Sequence, residues 1–164
     1  MKLRPDKFYA AWELRPLLTP DLILPQFTWI ESRMGVAWLS ENLHQFDFFG
    51  FNVRIGDVVK VPEDLLPSLA RGLQESSQKR VDIVAVRPEN AAIVEVKVRI
   101  PIGALGQVLG YATIFQAENP TLRSIEKIVV GGDAMLDIPE LLAAYGVQMV
   151  LYRELWLRLG SPSE

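Results

Sequence analysis

Two acidic residues and a lysine are embedded in apolar segments near the middle of the chain. Asp82 lies in "RVDIVAV" (80–86), and Glu95 and Lys97 lie in "AAIVEVKVR" (91–99). Both segments alternate and are rich in β-branched residues, and the Pro-Glu-Asn sequence between them favours a turn, so the sequence predicts a β-hairpin. Side chains two residues apart on a strand point the same way, so Glu95 and Lys97 share one face.

The length of the connection decides what lies opposite Asp82. A connection of two or four residues places Glu95 opposite Asp82 and Lys97 opposite Arg80, whereas three residues would place Val96 opposite Asp82. Directly opposed carboxylates have Cβ atoms about 4.5–5.5 Å apart and repel each other. The even connections leave the other face of the hairpin wholly apolar, and we therefore expect one of them. That face would carry Val81, Ile83, Ala85, Ala92, Val94, Val96 and Val98.

This arrangement suits a divalent cation. A cation between Asp82 and Glu95 would remove their repulsion, and Mg²⁺ uses one or two carboxylates while keeping several waters. The ammonium of Lys97 could hold a water or help deprotonate it, and could neutralise charge on a phosphate. Two acids and a lysine thus form a minimal site for phosphodiester hydrolysis with Mg²⁺ or Mn²⁺. The alternative is a solvated hairpin face with a Glu–Lys pair, which the "EVK" segment alone would favour.

A glycine-spaced helical pattern follows the second strand at once. Residues 102–117 are apolar at helical spacing, and Gln107 and Tyr111 lie four apart on one face of that predicted helix. Gln107 has no role in a core, whereas tyrosines are more often found in cores than in sites. Three glycines each lower helix propensity by up to about 1 kcal/mol. We expect them to allow a close approach of the helix to the sheet; they are Gly103, Gly106 and Gly110.

The remaining periodicities predict the fold class. Helices are predicted at 29–43, 62–77 and 139–146, and strands at 48–56, 125–132 and 147–152. Before residue 29, prolines interrupt the pattern, although 6–14 could form a short helix and 21–25 a short extended segment. This order predicts an α/β fold with a mixed central β-sheet flanked by helices. We expect an N-terminal extension (1–28), a domain (29–152, with 62–77 as an extra helix) and a C-terminal tail (153–164).

The motif Asp82…Glu95-x-Lys97, followed by Gln107-xxx-Tyr111, resembles the PD-(D/E)xK nuclease superfamily. It is similar to the RecB-like and archaeal-nuclease-like branches, which carry a Gln-xxx-Tyr helix. Members share a restriction-endonuclease-like αβββαβ core, and the predicted order of elements from residue 29 to residue 131 matches it. Val81 stands where the proline that names the motif would be, and the predicted helix at 62–77 is an addition to that core.

The resemblance implies a metal site in the hairpin. Asp82 and Glu95 would bind the metal together with the backbone carbonyl of Val96. Lys97 would position the attacking water. These assignments agree with the chemistry expected from the residue types alone, since carboxylates and carbonyls are the oxygen ligands that Mg²⁺ prefers.

The resemblance also implies contributions from two helices. Gln107 and Tyr111 would orient water or a phosphate beside the metal. The superfamily often adds a glutamate from its first core helix, for which Glu31 is the best match and Glu41 the alternative. A solvated helix charge explains either glutamate equally well.

Composition limits the chemistry and the location. The chain has no cysteine and one histidine, which excludes thiolate chemistry and histidine-rich metal sites and leaves hard, oxygen-bound ions. No apolar stretch approaches the roughly 20 residues of a membrane span. No signal-peptide core is present at the N-terminus. We therefore expect a cytoplasmic protein without a membrane partner.

Charge bears on the substrate. The net charge is −3, yet residues 79–99 carry five basic and three acidic side chains. We expect weak, salt-dependent DNA binding at this region, directed by structure or strand ends rather than by base sequence. The expected contacts to DNA are Lys79, Arg80, Arg87 and Arg99.

Three functional hypotheses follow. The first is a Mg²⁺-dependent deoxyribonuclease, with a protein partner that brings the substrate. The second is a nuclease-fold protein that acts as a non-catalytic interaction or assembly module, and the third is a nuclease directed to RNA. The apolar spacing in "LYRELWLRL" (151–159) predicts a helix that packs on the domain, with homodimerisation as the lesser alternative.

Overall fold

A six-stranded mixed sheet with helices on both faces forms the centre of the molecule, as the computed structural model shows. The structure describes residues 2–57, 60, 66–69, 74 and 77–160. Most of the helix predicted at 62–77 lies outside these residues. The predicted α/β class, with a mixed central sheet flanked by helices, is confirmed.

The strands lie in the sheet in chain order. They are β1 (Phe8–Ala10), β2 (Phe48–Ile55), β3 (Lys79–Arg87), β4 (Asn90–Ile100), β5 (Ser124–Ala134) and β6 (Gln148–Leu151). The first four strands are antiparallel neighbours, whereas β5 is parallel to β4 and β6 is parallel to β5. Parallel neighbours need a crossover connection, which is usually helical.

The helices connect and cover the strands. They are α1 (Ala11–Leu14), α2 (Trp29–Asn42), α3 (Gly103–Glu118), α4 (Ile138–Ala144) and α5 (Arg153–Gly160), with a 3-10 turn at Arg15–Leu17. Helices α3 and α4 make the two crossovers. The order α2-β2-β3-β4-α3-β5 is the order of elements predicted from the sequence. None of the described helices is both long and apolar enough to cross a membrane.

Helix α2 covers one face of the sheet. It begins at a capping box, in which the Thr28 hydroxyl accepts the N–H of Glu31 at 3.3 Å and the Glu31 carboxylate accepts the N–H of Thr28 at 2.9 Å. Such a box satisfies two backbone donors that the helix itself cannot pair. Behind it, Met34, Trp38 and Leu39 are buried against the inward residues of β2 to β5.

Helix α3 covers the opposite face. Its buried residues recur at helical spacing and pack on β3, β4 and β5; they are Ala104, Val108, Ala112 and Phe115. The expectation that the helix glycines approach the sheet is wrong. A Cβ at Gly103, Gly106 or Gly110 would meet no heavy atom within 4 Å, because these three residues lie on the exposed side of the helix.

Two terminal segments differ in how well the sequence predicted them. The helix expected at 6–14 is partly wrong, since residues 8–10 form the edge strand β1 and only Ala11–Leu14 is helical. Residues 21–25 are irregular. The C-terminal segment is the expected packed helix: Trp156 contacts the sheet at Gly132, where a Cβ would overlap the indole and come within 2.7 Å of Met34 Cε.

Candidate active site

The β3–β4 hairpin has the predicted register. Its two-residue turn at 88–89 gives five paired positions from Arg87↔Asn90 to Ile83↔Val94. The next position in this register brings Asp82 of β3 to Glu95 of β4. The pairing of the backbones ends one position before the two acids.

Side chains replace the backbone ladder at this point. The N–H of Val96 donates to Asp82 Oδ2 at 2.8 Å, and the N–H of Asp82 lies 3.4 Å from Glu95 Oε1. In an antiparallel pair, the N–H and the carbonyl of one residue point to the same edge of the strand. The carbonyl of Val96 is therefore directed toward β3, where the ladder has opened.

Both carboxylates converge on one ammonium. Lys97 Nζ lies 3.1 Å from Glu95 Oε2 and 3.8 Å from Asp82 Oδ2. The side chain of Glu95 is only 2% exposed, whereas those of Lys97 and Asp82 are 25% and 27% exposed. The acids thus lie on one side of the sheet, with Glu95 at the bottom of the site and the other two groups open to solvent.

Burial sets the protonation of the site. It raises the pKa of Glu95 to about 7, with the charge of Asp82 adding to the shift and Lys97 opposing it. Burial likewise raises the pKa of Asp82, against the opposing charge of Lys97. For Lys97, burial alone would lower the pKa, but the two carboxylates outweigh it and the pKa lies above its usual value. Lys97 is therefore a cation in the metal-free protein and cannot act as a base there.

Helix α3 brings its two polar residues to the same place. Burial and the charge of Glu95 raise the pKa of Tyr111, while a hydrogen bond from the Gln107 side chain opposes the shift. The charges of Lys97 and Asp82 also act on the tyrosine. The structure thus brings together the five residues of the predicted motif; they are Asp82, Glu95, Lys97, Gln107 and Tyr111.

The two candidate glutamates of α2 have other partners. Glu31 holds the capping box with Thr28, although its charge reaches Asp82 and Lys97. Glu41 accepts a hydrogen bond from the hydroxyl of Tyr152 at 2.7 Å, at a groove of about 540 Å³ between α2 and α5. Within the described ranges, no three His, Cys, Asp or Glu side chains are close enough together to share a metal ion.

The expected DNA contacts are spread along the β3–β4 hairpin. Arg80 is two residues from Asp82 on β3, and Arg99 is two residues from Lys97 on β4. Each has another carboxylate nearby, since Arg80 lies 3.9 Å from Asp6 and Arg99 lies 3.7 Å from Asp133. Lys79 is exposed at the start of β3. Arg87 lies at the hairpin turn, five residues from Asp82 and hence roughly 16 Å along the strand.

The strand β2 contributes a residue that sequence reasoning missed. Asn52 lies opposite Asp82, between the pairs Phe51↔Ile83 and Val53↔Val81, and its backbone is left-handed with φ 48°. It stands out in "FFGFNVRI" as the single uncharged polar side chain of an apolar strand, which was the available signal.

Both strands change face at this position. Phe51 and Ile83 belong to the core under α2, whereas Val53 and Val81 belong to the core under α3. The expected place of Val81 on the wholly apolar hairpin face is therefore wrong. Residues two apart on a regular strand share a face, so each of these strands must be irregular between its two residues. The left-handed backbone of Asn52 lies at this irregularity, where the β2–β3 ribbon twists in the row of the acids.

When the chain was compared with protein-family models, with curated proteins and with solved structures, none of the three comparisons gave a significant match.

Proposed function

We propose that this protein is a metal-dependent nuclease that hydrolyses DNA phosphodiester bonds at Asp82, Glu95 and Lys97. The observation that carries the proposal is the convergence of two carboxylates on the Lys97 ammonium, with one carboxylate almost fully buried. A buried acid pair costs stability through desolvation and repulsion. A chain keeps such a pair more readily for chemistry than for folding.

The order of elements supports the proposal. The succession α2-β2-β3-β4-α3-β5 has the αβββαβ form of the PD-(D/E)xK superfamily, and the acids lie on its second and third strands. The Gln-xxx-Tyr pair of α3 lies beside Glu95, as the resemblance implies.

The residues present fit Mg²⁺ or Mn²⁺. The carboxylates of Asp82 and Glu95 and the carbonyl of Val96 are hard oxygen ligands, and Mg²⁺ is commonly held by one or two carboxylates, with water and substrate phosphate completing its shell. Bound there, the ion would polarise the phosphate and lower the pKa of water. It would also offset the repulsion from Asp82 that adds to the effect of burial on the pKa of Glu95.

The chain's own groups would act around that ion. Because Lys97 is protonated, its role is to donate hydrogen bonds to the attacking water or to a phosphate oxygen, and to stabilise the charge that develops there. Glu95 anchors the ammonium from below. Gln107 and Tyr111 form a hydrogen-bonded pair at the rim, suited to orient a water or a phosphate oxygen.

DNA without sequence preference is the substrate that these features favour. Arg80 and Arg99 beside the site offer contacts to phosphates, which position a nucleic acid without reading its bases. With few such contacts, affinity would be weak and salt-dependent. A protein partner would then bring the protein to a DNA end or branch.

Cleavage assays test the proposal. Wild type, Lys97→Ala and Lys127→Ala would be incubated with plasmid, linear, single-stranded and branched DNA and with RNA, in Mg²⁺ or Mn²⁺. Lys127 is a matched control. It lies on β5, on the face of the sheet that carries Lys97, but in a separate groove with Thr113 and Gln116. We expect metal-dependent cutting that falls about 10²–10³-fold in Lys97→Ala and persists in Lys127→Ala.

Equal background cutting by wild type and Lys97→Ala on every substrate would contradict the nuclease. Together with an absence of metal binding, it would favour a non-catalytic interaction or assembly module. Cutting of RNA but not of DNA would change the substrate and keep the chemistry.

A further inference from the structure

Asn52 is a largely buried asparagine whose amide is not sealed from solvent and pairs with no described residue. The residue is 7% exposed, and its side chain makes no hydrogen bond to any residue in the described part of the chain. Its side-chain carbonyl is therefore available to a water or an ion. The left-handed backbone of Asn52 is an unfavourable feature at the same residue.

Its position in the sheet is specific. Asn52, Asp82 and Glu95 occupy one row across β2, β3 and β4, and neighbouring strands are about 4.8 Å apart. On either side of Asn52 the β2–β3 pairing is regular, and it is interrupted only at this row. The unpaired amide is thus the next side chain in the row after the two carboxylates.

A neutral side-chain oxygen suits the site. Asp82 and Glu95 already place two carboxylates around Lys97, and a third buried carboxylate would add to their repulsion. An asparagine carbonyl is a hard oxygen ligand for divalent cations and adds no charge. Among the residues that the structure describes, no third acid lies close enough to serve.

We propose that the side-chain carbonyl of Asn52 is a third side-chain ligand for the divalent cation at Asp82 and Glu95. This inference rests on the proposed function, since it assumes that the acid pair binds a metal. It explains why a strand of the central sheet retains an unpaired amide and a left-handed residue beside Asp82.

Mn²⁺ titration by calorimetry, at about pH 8.5 where Glu95 is ionised, tests the inference without any cleavage assay. The variants are Asn52→Gly and Asn52→Asp. Glycine accepts a left-handed backbone and removes only the amide, and aspartate keeps an oxygen in the same place. Circular dichroism and thermal melting would establish that each variant is folded.

We expect Asn52→Gly to bind Mn²⁺ at least about tenfold more weakly than wild type. Asn52→Asp should stay within a few fold of wild type at this pH. As the pH is lowered, it should lose the metal earlier, because a third carboxylate competes for protons.

Two results would overturn the assignment of Asn52 and leave the metal site standing: wild-type affinity in Asn52→Gly, or equal weakness in both variants. No Mn²⁺ binding by wild type would instead refute the metal site itself, and with it the proposed function.

Discussion

Replacing Glu95 by glutamine should stabilise the metal-free protein, and the gain should depend on pH. The pKa of Glu95 rises from an ordinary 4.5 to about 7 on folding. A carboxyl whose pKa is raised in the folded state contributes stability at low pH, and this contribution is lost as the pH rises from about 4.5 to about 7. A shift of this size corresponds to about 3 kcal/mol, and the 2% exposure of the side chain leaves little solvent screening.

Thermal melting at a series of pH values measures the effect. Without divalent metal, Glu95→Gln should melt close to wild type at about pH 4.5 and higher than wild type at about pH 8. For a chain of this size, about 3 kcal/mol corresponds to a difference of roughly 6 to 12 °C. Glu154→Gln is the matched control, because Glu154 is 92% exposed and its loss should change stability by less than about 0.5 kcal/mol at either pH.

Metal should reduce the difference between the two proteins at about pH 8. Mg²⁺ or Mn²⁺ should raise the melting temperature of wild type at about pH 8 through preferential binding to the folded state, and should leave Glu95→Gln unchanged. The reasoning is refuted if the two proteins differ by the same amount at both pH values. A wild type that is the more stable protein at about pH 8 without metal would refute it as well.

Three further substitutions test the packing and the charge balance. Lys97→Met should lower stability at about pH 8 by about 2 kcal/mol, less than a fully buried pair would lose, and should cost less at about pH 4.5, where Glu95 is protonated. Equal losses in urea unfolding at both pH values would contradict this. Gly110→Ala should raise the free energy of unfolding by up to about 1 kcal/mol, and with it the urea midpoint, since the added Cβ meets no atom within 4 Å. A lower midpoint would be incompatible with the exposed helix face. Gly132→Ala should lower the free energy of unfolding by about 1–3 kcal/mol and shift the fluorescence of Trp156. An unchanged melting temperature would mean that α5 does not pack there.

Much of the site could be predicted because its determinants are local. The two-residue turn and the alternation of β3 and β4 fix the hairpin register, and the register alone brings Asp82 to Glu95. The four-residue spacing of Gln107 and Tyr111 similarly fixes their common helix face. The capping box of α2 could also have been predicted, because Thr28 and Glu31 have the S/T-x-x-E spacing. That spacing predicts that Glu31 caps the helix.

The remaining features depend on contacts between distant segments. Strand β1 is three residues long within a helix-favouring segment, and it exists because β2 offers it an edge. The face on which the α3 glycines lie depends on the apolar stripe that α3 buries, and that stripe is on the other side. The left-handed backbone of Asn52, and the change of face at Val81, follow from the twist of a ribbon whose strands are distant in sequence.

Titration of the Glu95 carboxyl observes the proposed metal ligand itself. Carbon-13 NMR of labelled glutamate would follow this carboxyl with and without Mg²⁺, with Glu95→Gln to assign the signal. We expect a pKa of about 7 without metal and a value well below that with saturating Mg²⁺, because the cation would compete with the proton. A raised pKa that Mg²⁺ leaves unchanged would contradict a metal site at Asp82 and Glu95.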